Sequence, residues 1–258
     1  MVCRSQSELE RLRAANLLVA RVLALLKNAV APGVTTGALD ALAERAIREA
    51  GALPAFKGYH GYPATICASV NEQVVHGIPS DCELMAGDII SIDLGALLDG
   101  YYGDAAVTIP VGRIAHEAST LLRVTEESLW KGIEQVKVGG RVSDIGHAVQ
   151  QYVEAHGFSV VREFVGHGVG TALHEEPQIP NYGEPGRGAR LAEGMVLAIE
   201  PMVNMGKAAI TVRSDGWTAV TQDGSLSAHF EHSVAVSAAG PIVLSALEMP
   251  AREAAMRS

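Results

Sequence analysis

Apolar positions recur at helical spacing from about Ser7 to Lys27. The run opens on a capping box, Ser7-Glu8-Leu9-Glu10, and Pro32-Gly33 stops it. A second helix is predicted from about Gly37 to Ala50, with Leu39, Leu42, Ala46 and Ile47 on one face and Gly51 past its end. Two more are predicted over about His116 to Val136 and about Ser143 to His156, the latter stopped by Gly157. The stretch FKGYHGYPATICASVNEQVVHGIPSD reads as loops around short strands. GDIISIDLGALLDGYYGDAAVTIPVG is rich in β-branched residues around Leu98-Asp99-Gly100, a hairpin signal. From Phe158 onward short apolar runs alternate with Gly and Pro, which predicts strand and loop. The order is helices then strands, twice, with no linker and no clear repeat, so one domain is expected.

Composition narrows the class. The chain has 258 residues, 48% hydrophobic and 19% charged, enough to bury a substantial core. Its net charge is −9 with no basic cluster, which argues against nucleic acid as a partner. No run approaches the roughly 18 apolar residues of a membrane span, and the start is not a secretory signal. The three cysteines, Cys3, Cys67 and Cys82, form no CxxC and no even framework, so a reduced, cytoplasmic setting is expected.

Asp93 and Asp104 stand at the two ends of the predicted hairpin. With Leu98-Asp99 as the loop they face each other; with Asp99-Gly100 they are diagonal neighbours on one face. Opposed Cβ atoms lie about 5 Å apart and diagonal ones about 7 Å. Two carboxylates that close either share a proton or bind a cation, unless both are solvated edge residues. Further along, GHGVGTALHEEP carries His167 and His174 among glycines; it matches neither HExxH nor GxGxxG. GMVLAIEPM and SAHFEHSVAVS each put a glutamate, Glu200 and Glu231, in an apolar run, where burial is costly unless the carboxylate is paired or ligates a metal. The set is oxygen-rich with one nitrogen, which suits two divalent first-row ions better than a structural zinc site.

DLGALLDGYYGD, GHGVGTALHEEP, AIEPM and HFEHSVAV, in that order and spacing, resemble the type I methionine aminopeptidases of the pita-bread fold, over nearly the whole chain. The resemblance implies an α+β fold of two pseudo-symmetric halves, with helices packed outside a curved antiparallel sheet, and a single catalytic domain over residues 1–258. It makes Asp93, Asp104, His167, Glu200 and Glu231 the ligands of two divalent ions (Co, Mn, Fe or Zn). Asp104 and Glu231 would bridge them, Asp93 would hold the second ion, and His167 and Glu200 the first. It further implies that a metal-bridged hydroxide attacks the first peptide bond, with Glu200 as proton shuttle. His174 would stabilise the oxyanion or contact the scissile amide, and His76 would steady the P1′ amide. The substrate implied is the N-terminal methionine of nascent polypeptides whose second residue is small. The ribosome is the one macromolecular partner suggested, and a monomer is expected.

For the methionine side chain the resemblance points to Tyr59, Tyr62, Cys67, Leu173 and Trp217. The family more commonly has phenylalanine or methionine where this chain has Leu173, which bears on pocket shape. Cys67, in the apolar TICASV, reads as a buried, inert thiol. His60, His116, His147, His156, His229 and His232 read as surface or satisfied structural histidines. Three relatives of that fold are disfavoured. Prolidases usually carry a large extra N-terminal domain, whereas about 90 residues precede Asp93 here. Type II enzymes carry an insertion between the two glutamates, which here are 31 positions apart. Non-catalytic relatives that bind RNA or protein lose ligands and gain basic stretches, and the short N-terminal arm resembles the minimal bacterial form.

Overall fold

The four predicted helices form as α1 (Gln6–Ala29), α2 (Thr36–Glu49), α3 (His116–Ile133) and α4 (Val142–Ala155) in a computed structural model that describes residue 2 and residues 4–247. Cys3 lies outside the described residues. The first capping box sits two residues earlier than expected. Glu8 N–H donates to Ser5 Oγ at 3.4 Å and Ser5 N–H donates to Glu8 Oε2 at 2.8 Å. Both serines have glutamate three positions on. The earlier one caps a helix whose preceding residue, Arg4, is tied down by an ion pair with Glu175 and a backbone bond to Gly194 O at 2.7 Å. No helix among the described residues is long and apolar enough to cross a membrane.

Among the described residues, nine strands form the principal sheet: β1 (Leu53–Pro54), β2 (Ile66–Val70), β3 (Ile89–Leu98), β4 (Tyr101–Pro110), β5 (Gly166–Gly168), β6 (Glu175–Ile179), β7 (Val196–Ile199), β8 (Glu231–Ser237) and β9 (Gly240–Val243). Their order is β1-β3-β4-β8-β7-β5-β6, with β2 also on β3 and β9 also on β8, and every pairing is antiparallel. The architecture is thus α+β, in two halves. Leu18, Val19 and Leu39 of α1 and α2 pack on Ile90, Ile92 and Leu94 of β3. Leu129, Ile133 and Ile145 of α3 and α4 pack on Leu197, Ile199 and Val234 of β7 and β8. The halves meet where β4 pairs β8, at Glu231↔Ala106 and His232↔Ala105. Two three-stranded sheets flank this one: Met202–Asn204 with Ser227–His229 and Ser159–Val160, and Ala219–Thr221 with Ile210–Val212 and Gln73–Val75.

The hairpin β3–β4 closes through Asp99 at φ 50° and Gly100 at φ 82°. Two consecutive left-handed residues make the two-residue turn whose twist matches the strands, and Asp-Gly is a preferred pair for it. That turn sets the register: Gly95 opposes Asp104 and Asp93 opposes Ala106. The two aspartates are therefore diagonal neighbours on one face, and Ile90, Ile92 and Leu94 alternate onto the other, against the helices. Gly103 lets α1 approach the hairpin, because a Cβ there would stand 2.6 Å from the Ala15 carbonyl carbon.

Two glycine substitutions in this hairpin separate backbone strain from collision. A Cβ at Gly100 would meet nothing within 4 Å, so Gly100→Ala should cost only about 1 kcal/mol of left-handed strain. Gly103→Ala must push α1 off the sheet and should cost more, about 3 kcal/mol. Urea unfolding of the two variants compares them; equal losses would contradict the packing account.

Candidate metal centre

Strand pairing delivers the acidic residues to one place. Asp93 and Asp104 come from the hairpin, Glu231 from the first residue of β8 across the seam, and Glu200 from the position after β7. His167 sits in β5, whose neighbours crowd it. A Cβ at Gly166 would collide with the Ala198 carbonyl oxygen, and one at Gly168 would stand 2.5 Å from the Glu176 carbonyl oxygen. The glycines bracketing His167 thus let three strands close around it. Asn16 of α1 reaches the hairpin, where its Oδ1 accepts from Asp104 N–H at 3.3 Å.

Ligand atoms of Asp104, His167 and Glu231 lie within 4.8 Å of one another, and all three residues are buried. His167 Nε2 is 3.5 Å from Glu200 Oε1 and 3.8 Å from Asp104 Oδ2. Its other nitrogen, Nδ1, lies 3.0 Å from Gly168 O. A carbonyl only accepts, so Nδ1 carries the proton and Nε2 offers a bare lone pair to the carboxylates. Asp93 Oδ1, Asp104 Oδ1 and Glu231 Oε1 are buried with no hydrogen-bond partner among the described residues.

Such a cluster is unfavourable as four free anions. Burial pushes the Asp93 carboxyl up to about 7. Burial first, and neighbouring carboxylates next, push Asp104, Glu200 and Glu231 well above the usual carboxylate range. Burial also holds His167 down at about 4, so the ring is neutral. Oxygens without partners, a histidine lone pair among them and low solvent access are what divalent cations require. The residues fit a metal.

A cavity of about 160 Å³ opens onto this cluster. Tyr59, Tyr62, Cys67, His76, Leu173, His174 and Trp217 all line it. Tyr62 donates to Ile66 O at 2.9 Å and to Gly77 O at 3.0 Å, so its hydroxyl is spent on backbone and its ring edges onto Trp217 at 5.1 Å. Cys67 lies directly across from Asp93 in the β2–β3 register, and burial pushes its thiol well up. His76 is left-handed at φ 59°, and burial holds its ring neutral, down at about 4. His174 Nδ1 lies 2.7 Å from the Tyr59 hydroxyl, and the rings of His174 and His167 are 4.2 Å apart.

Three further residues belong to this region that sequence reasoning did not place there. Phe56 lines the cavity. So does His60, read from sequence as surface or structural; its left-handed backbone at φ 49° turns the ring onto Tyr59 at 4.4 Å. His229 is buried as a structural histidine should be, yet its Nε2 has no partner among the described residues and faces Glu200 Oε2 at 3.8 Å. Neither histidine sits in a spacing pattern that would have marked it.

Residues 10–238 match the model of metallopeptidase family M24. A methionine aminopeptidase of Clostridium acetobutylicum is 51% identical over 249 residues, covering 96% of this chain and all of that one. Methionine aminopeptidase 1 of Bacillus subtilis is 54% identical over 240 residues, covering 93% of this chain and 97% of its own. The crystal structure of methionine aminopeptidase from Rickettsia prowazekii superposes with a TM-score of 0.94 at 41% identity, over 95% of this chain and all of that one.

The raised carboxyl values generate a pH test on metal-stripped protein. A group whose folded value is raised stabilises fully below its ordinary value, and that contribution is lost as pH rises through the folded value. Asp93 runs from 3.8 to about 7, and the other three carboxyls are raised well above their ordinary range. The buried His76, His167 and His232 at about 4, and His229 at about 3, act oppositely, but only below their ordinary 6.5. Above that only the carboxylates remain. Stripped protein should therefore lose stability as pH rises from about 6.5 through about 7, and saturating Mn²⁺ should abolish the loss. Denaturant midpoints that hold steady or rise without metal would contradict this.

Proposed function

The chain belongs to metallopeptidase family M24 and is a methionine aminopeptidase, a metal-dependent exopeptidase, and from that premise we propose how its residues perform the reaction. The substrate is the initiator methionine of polypeptides whose second residue is small. Two divalent ions would be held by Asp93, Asp104, His167, Glu200 and Glu231, within one catalytic domain spanning residues 1–258 and acting as a monomer. Asp104 and Glu231 would serve both ions, Asp93 the second, and His167 and Glu200 the first. The supporting observation is the group of unpartnered, buried carboxylate oxygens around the bare His167 Nε2, at the end of a cavity sized for one side chain.

When bound, divalent ions supply Lewis acidity and lower the pKa of water into the neutral range. The chain's own groups do the rest. Glu200, a carboxylate with raised proton affinity, takes a proton from the attacking water and returns it to the departing amine. Tyr59 would act as the donor in its 2.7 Å contact with His174 Nδ1, leaving the His174 proton on Nε2, the atom that can donate to the developing oxyanion. His76, neutral and fixed by its backbone beside Phe164 and Trp217, steadies the substrate amide. The rings of Tyr62 and Trp217 and the Cys67 thiol form an apolar slot that suits an unbranched thioether.

Substitution separates the roles. Asp104→Ala or Glu231→Ala should abolish turnover and leave no more than a single weakly held ion; metal analysis finding two tight ions would sink the ligand assignment. His174→Ala should keep its metal while kcat falls on the order of 10²–10³. Loss of an ion from that variant would mean the two histidines have exchanged roles.

Substrate profiles test the slot. A hydrophobic pocket discriminates by about 1–3 kcal/mol per methylene. Norleucine peptides should then be cleaved within roughly tenfold of methionine, and valine and lysine peptides far more slowly. Trp217→Ala should raise KM and relax the preference with metal content unchanged. Comparable kcat/KM for Leu-Ala, Lys-Ala and Met-Ala substrates would make this a broad-specificity aminopeptidase instead.

A further inference from the structure

His229 closes the short strand Ser227–His229, two residues before Glu231, and its backbone is clamped on both sides by one hydroxyl. His229 N–H donates to Thr108 Oγ1 at 2.8 Å, and Thr108 Oγ1 donates to His229 O, also at 2.8 Å. Thr108 has one hydroxyl proton, so the 2.8 Å contact to Ser91 Oγ is a bond that Ser91 donates. Ser91 and Thr108 share the hairpin face that carries Asp93 and Asp104. The hairpin that supplies two acidic residues therefore also fixes where the His229 ring stands.

That ring is 1% exposed, and its Nε2 has no hydrogen-bond partner among the described residues. A polar atom buried without a partner is unfavourable. Its polar neighbour is Glu200, whose carboxylate lies between two imidazoles: Oε1 is 3.5 Å from His167 Nε2, and Oε2 is 3.8 Å from His229 Nε2. The two nitrogens cannot do the same job. His167 Nε2 is a lone pair, because its proton is committed to Gly168 O. A lone pair on His229 Nε2 would repel Oε2, whereas a proton there attracts it.

We propose that His229 is a positioning residue for Glu200. It carries its proton on Nε2 and donates it to Oε2, which fixes the carboxylate plane and keeps Oε1 turned toward His167. The gap of 3.8 Å closes by a small rotation of the glutamate side chain. This rests on the reading of Glu200 as a metal ligand in the Proposed function.

The test is calorimetric titration of metal-stripped protein with Mn²⁺ for wild type, His229→Phe, His229→Gln and Glu200→Gln. Phenylalanine keeps the ring and removes the donor; glutamine restores an N–H of comparable reach. His229→Phe should bind the same number of ions, with one of them about 10- to 100-fold weaker, and His229→Gln should recover most of that loss. Urea midpoints of the stripped variants, measured alongside, separate a folding defect from a weakened ion, and recovery in His229→Gln separates a lost N–H from lost packing. Unchanged Mn²⁺ affinity in His229→Phe, or no recovery in His229→Gln, overturns the positioning role. Loss of one whole ion in His229→Phe also overturns it and makes His229 a ligand. If Glu200→Gln binds Mn²⁺ as wild type does, the ligand assignment falls, and this inference with it.

Discussion

Four carboxylates, Asp104 and Glu231 buried and Asp93 and Glu200 half-buried, meet where the two halves of the sheet join, and no arrangement of this chain alone can make them comfortable as anions. Asp104 and Glu231 stand on either side of the seam, so mutual repulsion acts across the junction that the fold must keep closed. The apolar layers hold that junction from outside. Leu18, Val19 and Leu39 back one half, and Leu129, Ile133 and Ile145 back the other. Positive charge from a bound metal then turns the same contact from a liability into a tie between halves.

Much of the surrounding detail serves to hold these acids close while keeping water away. Gly103 lets the α1 backbone press on the hairpin beside Asp104, and Gly166 and Gly168 let strands close around His167. Asn16, fully buried, receives the Asp104 N–H at one end and donates to Leu12 O at 2.9 Å at the other, which leaves the aspartate side chain to the site. On the opposite wall the Tyr62 hydroxyl is consumed by two carbonyls, so the ring stays fixed as a slot wall. Rigidity around the carboxylates and rigidity around the slot come from different bonds, the first on β4 and β5, the second on β2 and the loop at Gly77.

The acidic constellation was readable because carboxylates in apolar strands violate the ordinary pattern, and the violation repeated at Asp93, Asp104, Glu200 and Glu231. The hairpin register was half readable. Spacing left two loops open, and the Asp-Gly pair, left-handed at both residues, decides for the diagonal arrangement. The start of α1 was ambiguous for the same kind of reason. Two serines each precede a glutamate by three, and the choice depends on Arg4 meeting Glu175, a contact across 171 positions that no local pattern carries. His60 is exposed and His229 buried, as read, but their places beside the site were not legible, because a histidine near the site looks the same in sequence as any other. Only the left-handed turn at His60, and the clamp of Thr108 on His229, separate them.

The cross-strand pair Cys67↔Asp93 has an evolutionary side. A residue of the proposed slot and a proposed metal ligand share one rung of the ladder, with neighbouring Cβ atoms about 5 Å apart. Any larger or polar side chain that altered selectivity at Cys67 would press on Asp93 or compete for its oxygens. Drift in what the slot accepts is therefore coupled to how strongly the site demands its ions. Lineages free to explore other side chains should do so on the more distant wall, at Leu173 or Trp217, and leave this rung untouched.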